Sequence, residues 1–348
     1  MGGGFIGQLC HIKNYFLDKR CELVALAEAK NLQCQLVAKK YSIPNIFNNH
    51  IDLLKSNIEF DAVVVVVNRF LSSRIIFDCI KANKNIFAEK PIALNFKDAI
   101  KLTTEAKKRK LLFKIGFNKN YDDGILQGIR QIQKLQKSKE LGNLIYVKIR
   151  RFSGTGYKNH SGNIQVKEKF SKIPNSNYKF NSIPKGLNKN FYTGFLEYLN
   201  VNSHLLSFLT FSINKKPNID YVHYSKNSIC LVVLEYDKKF KVLIESKHYK
   251  DHHWDEEFIF YFEKGFVSIK TPPQQLENVS AKVTIFKRDN KESFIILNQK
   301  PSWSFRNQAY DFVSDIKKNK IVINNAQDYT NDILVIENIW KKISSQKI

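Results

Sequence analysis

A glycine cluster stands at the start of the chain, where Gly2-Gly3-Gly4-Phe5-Ile6-Gly7 fits the spacing G-x-G-x-x-G. Glycines so placed ahead of a helix let the backbone approach a diphosphate, and the helix N-terminus turns its free N–H groups and partial positive charge towards it. Ile6, Leu9, Cys10 and Phe16 approximate helical spacing behind the cluster. Glu28 closes the next expected strand, 24 residues after Gly4. That is near the roughly 20 residues at which a carboxylate meets the hydroxyls of an adenosine ribose. Because a carboxylate there repels a 2′-phosphate, NAD is favoured over NADP, and Lys30 softens the preference. The cofactor-binding set on this pattern is Gly2, Gly4, Phe5, Ile6, Gly7 and Glu28. A second group, Ala88-Glu89-Lys90-Pro91, follows the expected strand Asn85 to Ala88, at the strand end where open α/β sheets hold their ligands. Lys90 there is placed to hydrogen-bond a substrate hydroxyl or stabilise a developing oxyanion.

The elements that must position these groups alternate. Strand Glu22 to Ala27, helix Ala29 to Lys40, a helical turn Ile51 to Leu54, strand Ala62 to Val67 and helix Ser72 to Ala82 precede Asn85 to Ala88. Helix Phe96 to Lys110 and strand Leu111 to Gly116 follow. The β-branched run Ala62 to Val67 predicts a strand covered on both faces, and the alternation predicts a doubly wound α/β domain over 1–118. From Gly142 the texture changes. A long strand Leu144 to Phe152 leads into a loop rich in Gly, Asn, Ser and Lys, Ser153 to Asn190, of a length that suits a functional or mobile loop. Helix Phe195 to Phe211 comes next, then strands near Ile219 to Tyr224, Ser228 to Tyr236, Phe240 to His248, Glu256 to Glu263, Phe266 to Lys270 and Ala281 to Lys287, with hairpin turns that predict an antiparallel sheet. Helices Phe305 to Lys318 and Ala326 to Lys342 complete a second domain over 119–348, with the C-terminal helices able to pack back on the first. The fold class expected is α/β plus α+β.

One element is missing from this reading. In a dinucleotide-binding fold the first glycine follows the central strand, and a single residue precedes Gly2. The edges of two neighbouring strands would then carry unpaired backbone groups, at about 1–3 kcal/mol each. A start several residues upstream is the favoured explanation, an impaired polypeptide the other.

Composition narrows the classes. The chain has 348 residues, 43% apolar and 25% charged, which describes a globular protein of about two domains. No aliphatic run approaches the roughly 20 residues of a membrane span, no signal peptide is visible, and Ile6 stands where a myristoylation motif wants Ser or Thr. Five cysteines without a C-x-x-C pair suit reduced thiols in the cytoplasm. The net charge of +24 invites a nucleic-acid reading, but the lysines are scattered and accompanied by Asn and Ile, as an A/T-rich genome produces. His248, His252 and His253 near Asp251 and Asp255 lie in a strand-like pattern, and no metal site is assigned to them.

Taken together, GGGFIG, the strand Val63 to Val67 followed by Asn68, AEKP and Gly116-Phe117-Asn118 resemble the Gfo/Idh/MocA family of oxidoreductases. Asn200-Val201-Asn202-Ser203-His204 and the run Phe305 to Phe312 are also similar to that family. The resemblance implies an N-terminal Rossmann domain, a C-terminal domain on a large antiparallel sheet, and a catalytic site in the cleft between them. It adds Asn68, Glu89 and Lys90 to the cofactor-binding set and implies catalytic roles for Lys90, for His204 as the acceptor of the hydroxyl proton, and for Asn200. The last stands where the family usually has aspartate and positions a hydroxyl without stabilising an imidazolium by charge. The segment after Asn68 departs too, lacking the family's usual histidine.

The expected function is transfer of a hydride between NAD (NADP as second choice) and a hydroxyl of a sugar, polyol or nucleotide-linked sugar. Arg150, Arg151, Lys158, Lys167 and Lys169 are candidates to hold a phosphate on the substrate. The alternatives are an NAD-using non-redox enzyme such as a glycosidase on the same scaffold, a catalytically impaired binding protein, and, last, a nucleic-acid binder. A homodimer or homotetramer is what the resemblance implies; neither nucleic acid nor membrane is an expected partner.

Overall fold

The β-branched run forms a strand as expected, over Ala62–Val65. The computed structural model describes residues 1–154, 162–171, 179–180, 183–225, 229–249, 253–288, 291–320 and 325–346. Two units emerge: Met1–Phe117 with Asn159–Pro184 and Phe305–Ile333, and Asn118–Lys158 with Lys185–Ser304 and Leu334–Ile348.

The first unit opens with a π-helical stretch, Gly7–Ile12, that runs into α1 (Lys13–Leu17). Then come β1 (Ala25–Ala27), α2 (Asn31–Lys40), β2 (Asn45–Phe47), α3 (His50–Lys55), β3 (Ala62–Val65), α4 (Arg69–Lys81), β4 (Asn85–Glu89), α5 (Phe96–Lys108) and β5 (Phe113–Gly116). Asn49, Asn68 and Asn95 cap α3, α4 and α5 by accepting a backbone N–H two or three residues on, which is why these helices start where they do. Alternation covers both faces of the strands. Val63, Val65, Ile86 and Ala88 pack with Ile76, Ile80, Ala99 and Leu102 of α4 and α5, while Phe87 packs with Tyr15, Ala309 and Phe312.

The strands of the expected doubly wound domain form two parallel sheets, β1-β2 and β3-β4-β5, divided where the sequence lacks the central strand. Met1 and Gly2 bridge them: the Met1 amine donates to Val64 O at 2.8 Å, Val66 N to Met1 O at 2.9 Å, and Gly2 N to Ala27 O at 2.8 Å. Beyond that bridge the two sheets border a cavity of about 520 Å³, lined by residues including Leu23, Ala25, Ala62, Val64, Tyr15 and Phe312. The buried Met1 amine has its pKa lowered by desolvation.

The second unit carries α6 (Asp123–Ser138), β6 (Leu144–Ser153), α7 (Tyr192–Ile213), β7 (Asn218–His223), β8 (Cys230–Tyr236), β9 (Phe240–His248), β10 (Trp254–Phe262), β11 (Gly265–Lys270), β12 (Lys282–Arg288) and β13 (Glu292–Leu297). Helix α8 (Ser304–Lys318) belongs, from Phe305 on, to the first unit, and α9 (Thr330–Ser344) begins in the first unit and ends in the second. The eight strands form one sheet in the order β13-β12-β11-β10-β6-β9-β8-β7, antiparallel except for β6 beside β9. Buried side chains alternate along every central strand, as at Val147 and Ile149, Phe258 and Phe260, Val242 and Ile244. Phe208 of α7 lies on that face, 4.0 Å between ring centroids from Phe258.

The sequence reading did not assign α6, β2 or β13. Ile125, Ile129, Ile132 and Leu135 do carry helical spacing, but Gly124 and Gly128 interrupt it. Packing explains both glycines: a Cβ on Gly124 would stand 2.0 Å from Ala281 O, and one on Gly128 2.4 Å from Ile269. Among the described residues, no helix is long and apolar enough to cross a membrane.

Candidate functional site

The glycine turn is built by the contacts that each glycine permits. Gly2 has φ +95°, and a Cβ on it would stand 1.9 Å from Val66 O; one on Gly7 would stand 2.3 Å from Gly2 O. Gly4 differs, since nothing lies within 4 Å of its Cβ direction. It borders a cavity of about 650 Å³ together with Gly2, Phe5, Glu28, Asn68 and Lys30. Two glycines thus close the turn and the third leaves room for a group to approach the backbone. The opening helix takes its first bond at Gln8 N to Gly4 O, 2.9 Å, so the amides before it point out of the helix end.

Glu28 follows β1, and its carboxylate is held against the turn. One oxygen accepts from Gly3 N at 2.7 Å and the other from Lys30 N at 3.1 Å. Each oxygen retains a further lone pair for a hydroxyl. Asn68 caps α4, accepting from Phe70 N at 3.0 Å, and borders the same cavity. A diphosphate-linked dinucleotide fits this set: an open glycine, an outward helix end and a neighbouring carboxylate.

Of the nine expected cofactor residues, Gly2, Gly4, Phe5, Glu28 and Asn68 line the cavity; Ile6, Gly7, Glu89 and Lys90 do not. Gly7 shapes the turn. Glu89, the last residue of β4, accepts a hydrogen bond at 2.9 Å from His11 Nε2, within the opening helix. Gly116 lies beside it, where a Cβ would come 2.8 Å from Glu89 Oε1. Sequence reasoning missed His11. The available signal was its position four residues after Gly7, on the helix face that Gly7 presents. Lys90 follows directly, half-buried, with a cis peptide bond to Pro91.

In the second unit Asn200 and His204 lie one turn apart on α7, which puts both on one helix face. His204 is buried, and its carbonyl accepts from Ser207 Oγ at 3.0 Å. Asn202 is turned away to Ser246 Oγ at 3.2 Å.

The basic residues proposed for a substrate phosphate divide. Arg150 is engaged by Asp255 at 2.7 Å and Glu257 at 3.1 Å, and Arg151 by the fully buried Glu256. Lys167 borders the 650 Å³ cavity. Lys158 lies outside the described residues, as do Asp251 and His252. Among the described residues, no group of three His, Cys, Asp or Glu side chains could hold a metal ion.

Comparison with known proteins agrees with the geometry. Residues 1–117 match an oxidoreductase family, described as NAD-binding Rossmann fold. Myo-inositol 2-dehydrogenase of Thermotoga maritima is 26% identical over 144 residues, 41% of this chain and 40% of that enzyme. 2,7-Anhydro-N-acetylneuraminate hydratase of Escherichia coli is 26% identical over 117 residues, 34% of this chain and 27% of that enzyme. The aligned regions thus span well under half of these relatives. Among solved structures, a 3-ketoreductase from Actinomadura kijaniata in complex with TDP-benzene and NADP superposes with a TM-score of 0.71 at 13% identity, over 97% of this chain and 94% of that one. That likeness establishes the fold.

Proposed function

We propose, on the match of residues 1–117 to the NAD-binding Rossmann domain of the Gfo/Idh/MocA oxidoreductase family, that the chain is an NAD(P)-dependent oxidoreductase acting on a hydroxyl of a sugar, polyol or nucleotide-linked sugar. The observation that carries this reading is the open Gly4 beside the fixed Glu28 carboxylate. Nicotinamide, when bound, supplies the two-electron acceptor or donor.

The chain's own residues do the rest. The turn at Gly2 to Gly7 binds the diphosphate, and Glu28 accepts from the ribose hydroxyls. Lys90 is assigned to orient the substrate hydroxyl, and His204 to accept a proton. Asn200 holds a hydroxyl in place. Lys30 and Lys167 border the same cavity as Glu28, which leaves NADP within reach.

Steady-state kinetics and calorimetry on two variants test the assignment. Lys90→Ala should lower kcat by about 10²-fold or more while NAD affinity stays within about twofold. Glu28→Ala should weaken NAD and narrow its margin over NADP. Unchanged kcat in Lys90→Ala would refute its role.

A second reading is favoured by the likeness to a hydratase: transient use of NAD in a reaction without net redox change. Absorbance at 340 nm separates the two, since only a dehydrogenase accumulates NADH. A binding protein without turnover, suggested by Asn200, would bind NAD yet convert no sugar in either assay. We further propose a cytoplasmic location, on the five free thiols. A homo-oligomer is supported by the exposed Phe294, Ile295 and Ile296 on edge strand β13.

A further inference from the structure

Resting on the dinucleotide reading above, we infer that residues 165–170 form an adenosine-binding strap, with Phe170 as the aromatic face for the adenine. The segment around it, 162–171, has no helix or strand of its own, yet the residues about the glycine turn hold it along its length. Gln8 pairs with the backbone of Ile164 in both directions, each bond 2.8 Å, while the same side chain donates to Gly3 O at 2.7 Å. Lys40 donates to Gly162 O, Lys30 Nζ to Val166 O at 2.9 Å, Leu32 N to the Glu168 carboxylate at 3.0 Å, and Ser171 N to Ala29 O at 2.8 Å. The Ile164 side chain packs into the cluster of Ile12, Leu26 and Val37.

This anchoring makes Gln165, Val166, Lys167 and Phe170 part of the lining of the cavity that holds Gly4 and Glu28. The direction follows from chemistry. Glu28 marks the ribose, and the base attached to that ribose extends past Ala29 and Lys30, the residues to which the strap is tied. Phe170 stands there with 73% of its surface exposed and the Lys30 ammonium 5.2 Å from its ring centroid. A large aromatic left so far in water gains little from folding; a planar base supplies the apolar partner that it lacks.

Calorimetry on the full chain tests this with three ligands: NAD, ADP-ribose, and nicotinamide mononucleotide, which lacks the adenosine. Phe170→Ala should weaken NAD and ADP-ribose alike by about tenfold and leave the mononucleotide unchanged, while Phe170→Tyr should bind all three as the parent does. ADP-ribose bound equally by Phe170→Ala and parent overturns the strap alone, as does an equal loss for all three ligands. A parent that binds neither NAD nor ADP-ribose overturns the dinucleotide reading and the strap with it.

Discussion

The sheets of the two units use the same alternation of Val, Ile and Phe but differ in continuity. In the second unit eight strands pair without a break, hairpin after hairpin, with β6 inserted between β10 and β9. In the first, five parallel strands divide into two and three, bridged by backbone hydrogen bonds of Met1 and Gly2. Hairpin neighbours are supplied by adjacent sequence, whereas a parallel strand depends on a partner brought from elsewhere by a crossover. Continuity is therefore local in one sheet and conditional in the other.

Buried charge shows the same contrast with opposite sign. Lys114 of β5 is fully buried between Asp311 and Asp315, one ammonium for two carboxylates. Glu256 of β10 is fully buried between Lys119 and Arg151, one carboxylate for two cations, and also accepts from Thr271 Oγ1 at 2.6 Å. Asp311 keeps 28% of its side chain exposed, but both cations around Glu256 are buried.

Removing the hub of the second cluster should have the largest effect. Glu256→Ala removes the carboxylate shared by two buried cations and should cost about 3–5 kcal/mol in chemical denaturation, with Lys114→Met costing less because water still reaches Asp311. Equal losses would break the contrast. Next comes hydrogen exchange. The amides of Ala25 and Val64 point towards the cavity between the parallel sheets by strand alternation. They should exchange about 100-fold faster than those of Val147 and Phe258 at the centre of the mixed sheet; equal protection would mean that the parallel sheets are as continuous as the other.

The smallest effect is alkaline. Burial pushes the thiols of Cys79, in the first unit, and Cys230, in the second, from 9.0 up to about 12. The folded pKa is the higher one, so the stabilisation is fully present below pH 9 and is lost as pH rises from 9 to about 12. By pH 10 each thiol should account for about 1.4 kcal/mol. Cys79→Ala and Cys230→Ala should each remove that share of the pH dependence in denaturation curves taken at pH 8 and pH 10.

Much of this molecule was legible in the order of its residues. The run Ala62 to Val67 announced a strand covered on both faces, and Val63 and Val64 do face opposite clusters. Gly2, Gly4 and Glu28 border one cavity and Gly7 shapes the turn beside it, because the glycine motif and the next strand are separated by a single helix. His11 could not be found that way. Its partner Glu89 lies 78 residues along the chain, and no periodicity records such a bond. The strap was equally hidden, since a segment without repeat or apolar rhythm is placed by bonds to Gln8, Lys30 and Leu32 rather than by propensity.

Local chemistry thus determined the element types, the alternating strands and the glycine turn, because each depends on steric limits and side-chain spacing within a few residues. Tertiary structure alone decided that the parallel strands divide, that Arg150 and Arg151 are occupied by carboxylates of a neighbouring strand, and that a distant loop walls the cavity beside Glu28. Those outcomes depend on which backbone and charged groups find partners across the fold, and their energies exist only once distant segments are brought together.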